Sequence, residues 1–132
     1  MKRRPKHGGR GRGGYREDIG HYVRSSWEAN FARYLNYMNI SYEYEPTTFG
    51  LFRDGKPVDT YTPDFLISDN SRGKVFIEIK GFMDFKSKKK MDLFKQQYPN
   101  EFLTVVGLDK YKTLQKIYST VIPNWETSKK FN

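Results

Sequence analysis

The stretch Tyr61-Thr62-Pro63-Asp64-Phe65-Leu66-Ile67, followed by Lys74-Val75-Phe76-Ile77-Glu78-Ile79-Lys80-Gly81, decides how this chain folds. Both halves are rich in β-branched and aromatic residues, and the turn-forming Asp69-Asn70-Ser71-Arg72-Gly73 lies between them. They read as two strands, Thr60–Ile67 and Lys74–Lys80, paired through a hairpin. Side chains on a strand alternate faces. Val75, Ile77 and Ile79 therefore share one face, which Phe65 and Ile67 join. Phe76, Glu78 and Lys80 take the other, and Asp64 falls on their side. Two carboxylates and an ammonium meet there on adjacent strands.

Outward from this hairpin the chain alternates between helix and strand. Ahead of it, Trp27, Phe31, Tyr34, Leu35 and Met38 recur at three- and four-residue spacing. Ser25-x-x-Glu28 reads as a capping box opening that helix, and Asn39 as its stop. Ser41–Glu45 alternates as a strand halted by Pro46, Thr47–Phe52 is a second short strand, and Asp54-Gly55 is a turn. Beyond Gly81 a basic helix runs to about Tyr98 and ends at Pro99-Asn100. Phe102–Gly107 is a strand. Asp109 is expected to cap a last helix with Leu114, Ile117, Tyr118 and Val121 on its apolar stripe. The expected class is α/β (α+β) with a central mixed sheet.

Residues 1–20 differ from the remainder. Lys2, Arg3, Arg4, Lys6, Arg10, Arg12 and Arg16 alternate with six glycines. Such sequence buries too little apolar surface to offset its ordering entropy, so it reads as a flexible basic arm. Residues 21–132 form one expected domain. Seven cations meeting phosphates would give a salt slope near roughly −6.

Composition narrows the chemistry. The 132 residues carry 24 Lys+Arg against 15 Asp+Glu, a formal net charge of +9, which suits a polyanionic partner. Without cysteine there is no disulfide, thiolate metal site or cysteine nucleophile. The two histidines, His7 and His21, lie near the basic end, which excludes most histidine-based sites. No apolar run is long enough for a membrane span or a secretory signal, so a cytoplasmic, intracellular location without a membrane partner is expected. Carboxylates, lysine and a hard metal remain.

Magnesium takes oxygen ligands, typically one or two carboxylates with waters and substrate phosphate. Asp64 and Glu78 are suitable donors, and the Ile79 carbonyl can add a third oxygen. A metal so held would polarise a phosphate and acidify a water, while Lys80 orients the nucleophile or neutralises developing charge. The competing reading is an ordinary exposed strand face with a surface ion pair worth little. Lys88, Lys89 and Lys90 either touch phosphates or form a solvated face. Tyr34, Tyr37, Tyr42 and Tyr44 either stack on bases or pack.

Pro63-Asp64 and Glu78-Ile79-Lys80, set in this order of elements, resemble the PD-(D/E)XK nuclease superfamily, whose core is restriction-endonuclease-like. The likeness covers about Ser25 to Gly107. It is strongest to small phage and transposon endonucleases, among them the transposase nuclease subunit and the phage Holliday-junction resolvases. The resemblance implies a helix, a three-stranded meander, a helix and a strand. It also implies a DNA endonuclease that uses Mg2+, with Mn2+ as substitute and no small-molecule cofactor. Cleavage would leave 5′-phosphate and 3′-hydroxyl ends, and a homodimer would bring two sites to two strands. Many members add a first-helix glutamate, which matches Glu28. That residue then has two competing roles, metal ligand or helix cap. Some relatives carry a functional polar residue on the second helix, where Gln96 and Gln97 stand. Alternatives outside this reading are a non-catalytic nucleic-acid-binding protein and an RNA-directed nuclease on the same fold.

Overall fold

A computed structural model describes residues 12–127. The expectations for Arg3, Arg4, Lys6 and Arg10 lie outside these residues. In chain order the described elements are β1 (Gly14–Arg16), β2 (His21–Val23), α1 (Ser26–Tyr37), β3 (Tyr42–Tyr44), β4 (Phe49–Arg53), β5 (Lys56–Tyr61), β6 (Phe65–Asp69), β7 (Gly73–Ile79), α2 (Phe85–Gln97), β8 (Phe102–Val106) and α3 (Leu108–Tyr118). Two compact units divide them: Met1–Ile40 with Gly107–Asn132, and Ser41–Val106.

The second unit holds a four-stranded sheet in the order β3-β6-β7-β8. Strands β3, β6 and β7 are antiparallel neighbours, and β8 runs parallel to β7 after the α2 crossover. This is the mixed α+β class that the sequence leads one to expect. The meander is interrupted, because β4 and β5 leave the sheet as a separate hairpin. Their turn is Asp54-Gly55, both at positive φ, as a tight hairpin needs. Register slips between Leu51 and Phe52, so Val58 is an extra residue on the Pro57 side.

The expected single strand Thr60–Ile67 is two strands. Strand β5 ends at Tyr61 and β6 starts at Phe65, with Thr62-Pro63-Asp64 between them. Pro63 has no N–H to give a ladder, and its ring restricts the residue before it. The break lets Tyr61 serve the hairpin while Phe65 joins the central sheet.

In β7, Val75 through Ile79 are all buried, so both faces of this strand are covered. One face carries Phe65, whose ring meets Tyr42 and Tyr44 edge-on at 5.4 Å. The other meets α2 and the hairpin: Phe49 contacts Phe76 at 5.4 Å and Phe94 at 4.8 Å, and Leu51, Tyr61, Met91 and Phe94 form the buried cluster. Gln97 brackets Phe52 of the hairpin, donating to its carbonyl at 2.6 Å and accepting its N–H at 3.0 Å. Asp84 caps α2 by accepting the Ser87 N–H at 2.7 Å.

In the first unit, Ser25 accepts the Glu28 N–H at 3.2 Å and opens α1. The helix closes in a Schellman arrangement, with Asn39 at φ 58 and the Ile40 N–H reaching the Leu35 carbonyl at 2.8 Å. Trp27 stacks on Tyr111 of α3 at 3.9 Å, and Tyr34 packs on Tyr118 at 5.1 Å. The cap of α3 is Gly107, with Asp109 in the first turn, which corrects the expected Asp109 cap. The α3 stripe is also rotated: Tyr111 is buried, as is Ile122 beyond the helix, while Ile117 and Val121 are exposed. Among the described residues no helix is long and apolar enough to cross a membrane.

Candidate active site

The central sheet assembles its acidic residues by register. Phe65 lies opposite Ile77, so one step earlier Asp64 falls level with Glu78. Tyr44 lies opposite Phe65, so Glu45 falls level with Asp64, and its N–H donates to the Asp64 carbonyl at 2.8 Å. Continued one step past the paired residues, this register sets Glu45 just beyond β3 and Asp64 just before β6 level with Glu78 on β7. Carboxylate oxygens of Glu45 and Asp64 lie within 4.8 Å of each other.

Burial sets Asp64 and Glu78 apart from a surface strand. Asp64 is 1% exposed and Glu78 5%. An ordinary exposed face does not describe them, and carboxylates this deep need charge-assisted partners. Asp64 Oδ2 accepts the Ile79 N–H at 2.8 Å. Glu78 Oε1 accepts the Tyr61 hydroxyl at 3.0 Å. The Lys80 ammonium lies 3.9 Å from Glu78 Oε2, and the Lys80 N–H donates to the Val106 carbonyl at 3.0 Å. Burial, and then the Glu78 charge, push the Tyr61 hydroxyl far above its usual range, so it stays a donor at any physiological pH.

Asp64, Glu78, Ile79 and Lys80 are therefore gathered within the second unit, with Asp64 hydrogen-bonded to Ile79 and Glu78 paired with Lys80. Tyr61 and Glu45 join them and were not anticipated. For Glu45 the signal was its place at the end of an alternating strand. It sits at φ 48, outside the strand geometry, which turns the chain towards Pro46. For Tyr61 no local pattern points to the site, because the bond to Glu78 depends on the break at Pro63.

Glu28 lies in the first unit and is fully buried. Its own N–H meets the Ser25 cap, and its carboxylate Oε1 accepts the Arg24 N–H at 3.3 Å. The reciprocal half of the capping box thus falls on Arg24 instead of Ser25.

The cations expected to meet phosphates fall into different settings. Arg16 forks onto Glu126, Nε to Oε2 at 2.7 Å and Nη2 to Oε1 at 2.8 Å, and also donates to the Arg12 and Gly14 carbonyls. On α2, Lys88 pairs with Asp92 at 3.5 Å and Lys90 with Asp59 of the hairpin at 3.8 Å. Lys89 lies 6.0 Å from the centre of the Phe85 ring. Of the tyrosines, Tyr34, Tyr42 and Tyr44 pack on neighbouring rings, and Tyr37 reaches Tyr118 while remaining half exposed.

A mixed α+β core that buries carboxylates beside a lysine on adjoining strands has the framework of a nuclease-like domain. The family model of phage endonuclease I matches residues 12–131, nearly the whole chain, and the chain belongs to that family. It is accordingly a small phage endonuclease. No curated protein and no solved structure matches the chain.

Proposed function

We propose that this chain is a metal-dependent endodeoxyribonuclease of the PD-(D/E)XK type that hydrolyses phosphodiester bonds. The observation that carries the reading is the pair of buried carboxylates Asp64 and Glu78, with the half-buried Glu45 level with Asp64 and Lys80 beside Glu78. All the donors there are oxygens, which suits a hard cation such as Mg2+, with Mn2+ as substitute. Asp64, Glu78 and the Ile79 carbonyl would hold the ion, which supplies positive charge against the phosphate and acidifies a water.

The residues of the chain have separable tasks. The Ile79 N–H fixes one oxygen of Asp64, and the Tyr61 hydroxyl fixes one of Glu78. Lys80, near Glu78, places a positive charge where the phosphate gains charge as water oxygen bonds to phosphorus. The bond from phosphorus to the 3′ oxygen breaks, and that oxygen takes a proton. Glu28 is assigned to the catalytic set on the strength of the resemblance. DNA is the proposed substrate, and a homodimer would present two sites to two strands.

Cleavage of supercoiled, linear and branched DNA, and of RNA, in magnesium or chelator tests the proposal. Asp64→Asn keeps an acceptor for the Ile79 N–H, and Lys80→Ala removes only the ammonium arm. Each is expected to lower cleavage at least about 100-fold while DNA binding persists. Glu28→Gln is expected to behave alike if its carboxylate charge is used, and to cut normally if it only caps α1. Wild-type protein that leaves every DNA substrate intact in both magnesium and manganese would refute the enzyme reading.

A further inference from the structure

The most exposed large apolar side chains in the described part of the molecule flank the start of α2. Phe82 is 77% exposed and Phe85 83%, and Met83 between them is 40% exposed. They follow directly on Lys80-Gly81, and chain geometry alone keeps the Phe82 Cα within about 7 Å of the Lys80 Cα. Burying either ring in the core would have been favourable, so two neighbouring rings in water require a reason. The surroundings are cationic: Lys86, Lys88, Lys89 and Lys90 succeed them on α2. Of the acidic side chains nearby, Asp84 caps α2, while Asp92 and Asp59 lie against Lys88 and Lys90 at 3.5 and 3.8 Å, solvent-accessible pairs that a phosphate can replace.

We propose that Phe82 and Phe85 form a stacking platform for unpaired bases of the DNA strand brought to the site, with the α2 lysines holding the flanking phosphates. The proposal rests on the nuclease reading above and adds a preference for DNA with unstacked bases. Aromatic rings bind any base by its face, and neighbouring cations supply the backbone attraction. Lys89, 6.0 Å from the Phe85 ring centre, belongs to both halves of such a surface. Gly81, between Lys80 and the pair, adds no side chain.

The test uses full-length protein in chelator, so that binding is read without cleavage. One probe is DNA with 2-aminopurine in an unpaired bulge, and the other is the same sequence fully paired. Wild-type protein is expected to quench the bulged probe and to bind it more tightly than the duplex. Phe82→Ala/Phe85→Ala should abolish the quenching and weaken bulge binding about 10-fold or more, changing duplex binding less than about 3-fold. Phe82→Trp/Phe85→Trp should restore both. Both rings are exposed, so their truncation removes little packing, and circular dichroism checks the fold of the alanine variant. Equal loss on both probes, or no loss, overturns the platform. So does a dimer that the alanine variant dissolves without altering selectivity between probes, because the rings would then face a second copy. A wild type that cuts DNA in magnesium while these binding differences are missing sinks the platform and leaves the nuclease reading standing. Binding differences without any cleavage do the reverse.

Discussion

At the residue scale, the carboxylates of the proposed site accept hydrogen bonds from neighbouring residues. Tyr61 shows this most directly. Its ring packs 5.1 Å from Phe94 in the core, and its hydroxyl donates to Glu78 at 3.0 Å. Tyr61→Phe keeps the packing and deletes the donor. Outer partners of this kind are typically worth 10- to 100-fold in activity or metal affinity. Under the metal-dependent reading proposed above, a drop in kcat of about 10-fold is therefore expected, with KM for DNA nearly unchanged and a higher magnesium requirement. Steady-state kinetics across a magnesium titration measures it, and wild-type kcat at all magnesium levels would remove Tyr61 from the machinery. Asp64, Glu78 and Lys80 were legible in the sequence because strand alternation is local and places them on one side. Glu45 and Tyr61 were not, since each joins through register or a strand break between distant residues.

At the scale of elements, the sequence marks helices and turns well and fails where one strand must serve two sheets. The Ser25 cap, the Asn39 stop and the Asp54-Gly55 turn are decided by backbone preferences within a few residues, and they fall as expected. The break at Pro63 is visible only once β5 is seen to pair with β4 and β6 with β3 and β7. A second long-range feature is the clasp on Glu126. Its carboxylate accepts from Arg16 next to the β1–β2 turn, from Ser26 at 2.6 Å and from Arg33 at 2.9 Å on α1. Arg33 also forks onto Asp18, and the Asn30 side chain bonds the Glu126 backbone in both directions. Burial alone would raise the pKa of Glu126, but the hydrogen bonds from Arg16, Ser26 and Arg33 outweigh it and hold the carboxyl down to about 2. Because the folded value lies below the unfolded one, near 4.5, the clasp stabilises fully above that pH. Its contribution is lost as pH falls from about 4.5 towards 2. Glu126→Gln should therefore cost on the order of 2 kcal/mol at pH 7, allowing for solvent at the pair. The gap from wild type should close progressively below pH 4.5. Urea unfolding at pH 7, 4 and 3 checks this, and a gap independent of pH would show that charge at Glu126 is not the cause.

At the scale of the molecule, the net charge of +9 is unevenly distributed along the chain, and the structure changes how its role must be tested. The sequence alone sets the basic arm at residues 1–20. Yet Gly14–Arg16 pairs with His21–Val23, and Arg16 forks onto Glu126. Removing all of residues 1–20 would therefore take away a strand and a clasp along with the cations, and a loss of binding would have two explanations. Removing residues 1–11 separates them. That segment carries Lys2, Arg3, Arg4, Lys6 and Arg10 and leaves the hairpin intact. If these cations neutralise DNA phosphates, each contributes about 0.9 to the slope of log affinity against log salt. The truncated protein is expected to bind DNA more weakly at low salt, with a slope shallower by up to about 4. Its urea midpoint should match that of the full chain, because no part of the Glu126 clasp has been touched. Fluorescence anisotropy on one duplex from low to moderate salt measures the slope. An unchanged slope with weakened binding would mean that the arm acts other than through phosphate charge. An unchanged slope and affinity would place the electrostatic footprint on the remaining residues, with the α2 lysines the first to be neutralised in turn.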